Sequence, residues 1–154
     1  MRRARSIQED GIRFRFKNEN SPEQRKQEAD AILEKYPHRI PVIVERAPNS
    51  HVPSIDKQKF LVPNDITVAQ FMWIVRKRIH LSPEKALFVF VGRLMPHLSM
   101  GDLYGTYRDE DGFLYLAYSG ENTFGQSPQP PLTVHNGLPS AYHPPGVVIT
   151  RSVE

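Results

Sequence analysis

The sequence predicts an α+β domain in which helices pack against a mixed sheet, carried between an N-terminal arm and a C-terminal tail. Three observations carry this reading. Apolar periodicity runs in the order helix, β-hairpin, helix, strand, short helix, strand. Two of the helices begin with a box of serine or threonine followed three residues later by glutamine. After Gly125 the composition shifts abruptly, with Pro128, Pro130, Pro131, Pro139, Pro144 and Pro145 in a stretch of low charge.

Residues 1–20 are polar and rich in both charges, with Phe14 and Phe16 the only aromatic side chains. They read as a loosely held arm. Ser21-Pro22-Glu23-Gln24 starts a helix, because serine caps, proline suits the first turn and Gln24 completes the box. Ala29, Ile32, Leu33 and Tyr36 fall on one face of it, and Pro37 stops it. Ile40 to Arg46 and Lys59-Phe60-Leu61-Val62 form a hairpin of two strands, joined through Ala47–Asp56 and closed by Pro63 and the Asn64-Asp65 turn. Thr67 caps the best-defined helix, Gln70 completes its box, and Ile66 can staple onto Phe71. Ser82-Pro83-Glu84 reads as another capped helical turn and Leu87 to Val91 as a buried strand. Leu98 to Tyr104 follows as a short helix, Asp109 to Gly112 as a solvated turn, and Phe113 to Tyr118 as the last strand. Three regions result: an arm over 1–20, a domain over 21–125, and a tail over 126–154 without regular structure.

The totals narrow the function. Among 154 residues, 39% are hydrophobic and 24% charged, as in ordinary globular proteins. The longest apolar runs fall far short of the ~20 residues that cross a bilayer. The basic start Met1-Arg2-Arg3-Ala4-Arg5 is not followed by a signal-peptide core, so a cytoplasmic location is expected. The absence of cysteine removes disulfides, thiolate metal sites and the nucleophile of ubiquitin-type ligases and proteases. A net charge of +3 is too small to argue for nucleic acid. The six histidines lack metal-ligand spacing, no cofactor motif appears, and no nucleophile stands beside a base, so no catalytic or metal residue is assigned.

On a helical wheel for 67–80, Val68, Met72, Val75 and Ile79 form a narrow core stripe. Phe71 and Ile74 flank it on the side shared with Arg78, where they either widen the core face or line a groove; periodicity alone favours the wider core. Trp73 falls away from the stripe, as a partner contact or as partial packing on a neighbouring helix. In the second strand, Lys59 and Leu61 alternate with Phe60 and Val62, and a free edge there would accept an extended peptide as an added strand.

Five ordered segments carry a family resemblance: Tyr36 to Arg46, Asp56 to Pro63, Arg76 to Leu81, Asp111 to Tyr115, and Phe124-Gly125. Over about residues 12–125 the chain resembles the autophagy ubiquitin-like modifiers, the GABARAP and microtubule light-chain-three group, and is more similar to the GABARAP branch. The resemblance implies a ubiquitin-like β-grasp core preceded by two N-terminal helices. It implies cleavage after Gly125, next to Phe124, by a cysteine protease, then transfer by ubiquitin-type activating and conjugating enzymes to phosphatidylethanolamine on autophagosome membranes. Glycine suits that end because it has no side chain to obstruct a narrow transfer channel.

The resemblance also implies a groove for cargo receptors bearing an aromatic-x-x-aliphatic motif. Glu28, Ile32, Pro41, Ile43, Lys59, Leu61 and Phe113 would line its aromatic pocket. Phe60, Val62, Pro63, Ile66, Phe71, Ile74 and Val75 would line the aliphatic one, with Arg39, Lys57 and Arg78 meeting acidic neighbours. The chain departs from the pattern around Ser21-Pro22, where the family's usual aromatic is replaced, and in its much longer tail. The alternative is a non-conjugated β-grasp adaptor in trafficking or microtubule binding, with tubulin as partner through the basic arm.

Overall fold

The computed structural model describes residues 12–90 and 97–121, together with the backbone of 132–134. Along the chain lie α1 (Arg15–Glu19), α2 (Pro22–Lys35), β1 (Arg39–Arg46), β2 (Lys59–Pro63), α3 (Val68–Arg78), β3 (Leu87–Phe90), α4 (Met100–Tyr107), β4 (Leu114–Ser119) and β5 (Leu132–Val134). The strands form one sheet in the order β2-β1-β4-β3-β5. Its centre is the parallel pair β1 and β4, with β2 antiparallel to β1 and β3 antiparallel to β4.

Both faces of this sheet are covered, which explains why its central strands read as nearly continuous apolar runs. Alternation along β1 and β4 divides the side chains between two clusters. Ile40, Val42, Val44, Leu114, Leu116 and Tyr118 join the main core with α3 and α4. Ile43, Phe113, Tyr115 and Ala117 face the other way, into a second cluster with Ile12, Phe14, Phe16, Ala29 and Ile32. The N-terminal segment thus supplies the layer that covers the outer face.

That layer corrects the expectation of a loose arm. Phe14 and Phe16 are each 1% exposed, and α1 begins at Arg15. The Glu45 carboxylate accepts the amides of Arg15 at 2.8 Å and Phe16 at 2.9 Å, satisfying donors that the first turn leaves open. Residues 1–11 lie outside the described residues.

The predicted caps form as written. Ser21 Oγ accepts the Gln24 amide and Gln24 Oε1 accepts the Ser21 amide; Thr67 and Gln70 repeat the exchange at α3. Helix α3 ends in a Schellman motif, with the His80 amide donating to Lys77 O and the Leu81 amide to Arg76 O. His80 occupies the left-handed position, at φ 56°, that glycine usually fills.

Four expectations change. Tyr36 is exposed because, as the C-cap at ψ 73°, it leaves the helical path; Arg25 takes the inward position one turn before Ala29. Ser82 to Lys85 is a single turn closed by the Lys85 amide on Ser82 O, not a helical turn. The short helix runs from Met100 to Tyr107, capped by Ser99 through the Asp102 amide. Within the tail, Leu132–Val134 forms β5 against β3, where a regular element was not expected; the β-branched Thr133 and Val134 suit a strand. The rest of 126–154 lies outside the described residues.

Candidate functional site

Among the described residues only β1 pairs with β2, so β2 is an edge of the sheet. The ladder's phase follows from two bonds that bracket it. The Val44 amide donates to Gln58 O at 2.8 Å, and the Asn64 amide donates to His38 O at 3.1 Å. Antiparallel pairs alternate between bonded and non-bonded. Even-numbered residues of β2 therefore turn their N–H and C=O groups toward β1, and Lys59 and Leu61 turn theirs toward the open edge. Pro41, which has no N–H, sits opposite Leu61 in a non-bonded pair, and pairing of β1 with β4 begins one residue later at Val42. Proline is tolerated in a central strand for that reason.

The two faces of β2 meet different helices. On the α2 side, Leu61 packs in the second cluster with Ile32, Ile43 and Phe113, and Pro41 is also buried. Above them the Lys59 ammonium pairs with Glu28 at 3.2 Å and lies 5.6 Å from the Phe16 ring centroid. The side chains of Lys59 and Glu28 keep 24% and 28% of their exposure, so this pair is the solvent-facing cover of the apolar cluster.

On the α3 side, Phe60, Val62, Ile66, Phe71, Ile74 and Val75 all belong to the main core, and Pro63 is half-buried. Phe71 and Ile74 thus widen the core face, as periodicity favoured. Ile74 also reaches a cavity of about 300 Å³ that Trp73, Lys77, Arg78, His80 and Asp56 complete. The Lys77 ammonium lies 5.0 Å from the Trp73 ring, which packs partly against the core. Arg78 Nε donates to Asp56 at 2.9 Å, and that hydrogen bond holds the Asp56 carboxyl below its ordinary range. Arg78 is therefore already engaged with Asp56; Arg39, at the start of β1, and Lys57, two residues before β2, are exposed.

A polar tie seats α1 and α2. Asp111, read from the sequence as part of a solvated turn, is only 5% exposed. Its carboxylate accepts from Arg25 at 2.9 Å, from the Phe113 amide at 2.8 Å and from the Tyr115 hydroxyl. Burial pushes the Asp111 carboxyl up, opposed by the Tyr115 and Phe113 hydrogen bonds; burial and the neighbouring carboxylate push the Tyr115 phenol up as well. Lys17 reaches the same turn at Asp109, 2.6 Å away. Gly112 has φ +96°, and a Cβ there would stand 2.8 Å from that of Ala29, so the turn needs glycine to press against α2. The sequence signals none of these partners, because the ion pairs join residues 86 and 92 positions apart.

Phe124 and Gly125 lie outside the described residues. The last described residue before them, Glu121, receives a 2.8 Å contact from the His51 ring that holds its carboxyl down at about 2.

A β-grasp sheet crossed by α3, with two N-terminal helices on its outer face, defines a ubiquitin-like protein. The family model described as autophagy protein Atg8, ubiquitin like, matches residues 24–125. Autophagy-related protein 8 of Mycosarcoma maydis is 56% identical over 117 residues, covering 75% of this chain and 99% of that protein. Autophagy-related protein 8d of Arabidopsis thaliana is 60% identical over 112 residues, 71% of this chain and 93% of its own length. Among solved structures, Trypanosoma brucei ATG8 superimposes with a TM-score of 0.66 at 44% identity, over 73% of this chain and 99% of that one. Plasmodium falciparum Atg8, in complex with an Atg3 peptide from the same organism, gives 0.64 at 42% identity, over 69% and 95%. The chain belongs to the Atg8 family of ubiquitin-like autophagy proteins.

Replacing Arg25 with methionine strands Asp111 in the interior. An uncompensated buried charge costs about 3–5 kcal/mol at pH 7. Because burial raises the Asp111 pKa in the folded state, protonation favours folding, and that contribution is lost as pH rises through the folded value. The deficit of R25M relative to the parent should therefore shrink as pH falls toward 4. Urea unfolding at both pH values measures it; an equal deficit at each would assign the loss to packing.

Proposed function

We propose that this chain is a conjugated modifier of autophagy, not a catalyst. In this reading a cysteine protease cuts after Gly125. Activating and conjugating enzymes then carry the new carboxyl as thioesters on their own cysteines and pass it to phosphatidylethanolamine. No helix among the described residues is long and apolar enough to cross a membrane. The two acyl chains of the lipid would supply attachment to the autophagosome, since two chains hold stably where one is marginal. Membership in the Atg8 family supports this course, and the relative solved with an Atg3 peptide supports a conjugating enzyme as one partner.

Once anchored, the protein recruits cargo receptors along β2. The observation that carries this reading is an edge strand whose outward backbone belongs to Lys59 and Leu61, with an apolar cluster on each face. An aromatic-x-x-aliphatic peptide adds antiparallel or parallel to that edge, and its backbone bonds give affinity. Its aromatic residue displaces the Lys59–Glu28 cover to reach Ile32, Leu61 and Phe113. Its aliphatic residue enters on the α3 side, near Pro63, Ile66 and Ile74. Acidic residues beside the motif meet Arg39 and Lys57, and compete with Asp56 for Arg78.

The adaptor without conjugation, in trafficking or on tubulin, has one observation in its favour. Strand β5 lies in the tail and is built into the sheet, as a retained segment would be.

Two experiments test the proposal. The full chain, incubated with maturation protease, conjugation enzymes and phosphatidylethanolamine vesicles, should lose residues 126–154 and gain a phospholipid mass. Gly125→Ala should prevent the adduct and leave peptide affinity unchanged. An intact mass for the parent chain, with a working control substrate, would leave only the adaptor reading. Separately, Leu61→Ala should weaken calorimetric binding of an aromatic-x-x-aliphatic peptide about tenfold, the scale of a buried interface contact. Unchanged affinity would remove the docking assignment.

A further inference from the structure

The two sides of the sheet are protected differently. Edge strands invite pairing with another chain, and proteins blunt them with lysine, proline or a covering segment. Along β2 the blunting residues are Lys57, just before the strand, with Lys59 and Pro63 within it. Strand β3 has none. Leu87, Phe88, Val89 and Phe90 carry no charge and no proline. Leu87 and Val89 pack in the main core, and Phe88 and Phe90 pack with the second cluster, so both faces of the strand are apolar. A short β-prone run of this kind, left with an open ladder, is a template for self-pairing.

What lies on that ladder is the tail. Strand β5 pairs antiparallel with β3, in the register Leu87↔Val134, Phe88↔Thr133, Val89↔Leu132. It therefore runs parallel to β4, on the far side of β3. Residues 120–131 make the connection, a length of twelve that matches the dozen or so needed to join parallel strands. The tail is thus long enough to place a strand on the β3 edge.

We propose that Leu132–Val134 is a built-in guard of the β3 edge, and that it holds off a second copy of this chain. Without the guard, two β3 strands pair antiparallel across a two-fold axis, because an uncharged strand meets its own copy without like-charge repulsion. The guard works in the uncut chain and does not require the cleavage proposed above. Where that cleavage occurs, it severs the guard from the domain and makes edge pairing a property of the processed form.

The test uses the full chain with Leu132→Pro and Thr133→Pro together. Of two adjacent residues in a strand, one turns its N–H into the ladder, so the pair of prolines removes a bond whichever faces β3. Native mass spectrometry over a concentration series should show a monomer for the parent and a dimer for the double variant. Hydrogen exchange on dilute samples should show faster exchange in β3 for the variant, with α3 and β1 unchanged. Adding Phe88→Lys should return the variant to a monomer by placing like charges at the pairing edge. A variant that exchanges faster in β3 yet stays monomeric at every concentration would overturn the proposal. Unchanged exchange in β3 would overturn it too, by removing the guard.

Discussion

The contact between Arg25 and Asp111 decides what the outer face of this molecule is. Without it, α2 would rest on the sheet through a narrow apolar stripe, chiefly Ala29 and Ile32, and its placement along β2 would be weakly specified. The guanidinium, the carboxylate and the Tyr115 hydroxyl bind helix, turn and strand at one buried point. Such a tie fixes geometry more than it adds stability, since desolvating two charges offsets much of their attraction. Arg25 Nε has no hydrogen-bond partner among the described residues, which is consistent with a contact selected for position. With α2 held there, Glu28 stands over Lys59 and the cluster around Leu61 acquires its second wall.

From that constraint the organisation of the sheet follows. Its central parallel pair is covered on both faces, by α3 and α4 on one side and by the N-terminal segment on the other. What is left for partners is the edge. At β2 the ladder's phase presents alternate backbone groups outward, those of Lys59 and Leu61, between two apolar clusters. At β3 the chain's own tail takes the equivalent position. One sheet thus offers one edge and occupies the other. In the proposed docking, recognition depends on backbone geometry as much as on the side chains that surround it.

Much of this was legible from local chemistry. The Ser21 and Thr67 caps, the hairpin and the core stripe of α3 depend on neighbours a few residues apart, and they form as the sequence dictates. The alternation of Lys59 and Leu61 against Phe60 and Val62 was readable, and the structure sends Phe60 and Val62 to the main core and Leu61 to the second cluster, with Lys59 above it. Other features were not legible. Phe14 and Phe16 sit among charges, so their burial depends on an outer sheet face that no local pattern reveals. Asp111 looks like any acidic turn until the fold brings Arg25 to it. The cavity residues Trp73, Lys77 and His80 share a surface with Asp56 only because the loop before β2 folds against the end of α3. Strand β5 depends on a β3 edge that becomes visible only once the sheet order is known.

Single-amide hydrogen exchange along β2, with and without an aromatic-x-x-aliphatic peptide, tests the central claim most directly. The account predicts that the amides of Lys59 and Leu61 slow on binding, while those of Phe60 and Val62, already bonded to β1, change little. Slowing at Phe60 and Val62 alone, or no change anywhere on β2, would contradict it.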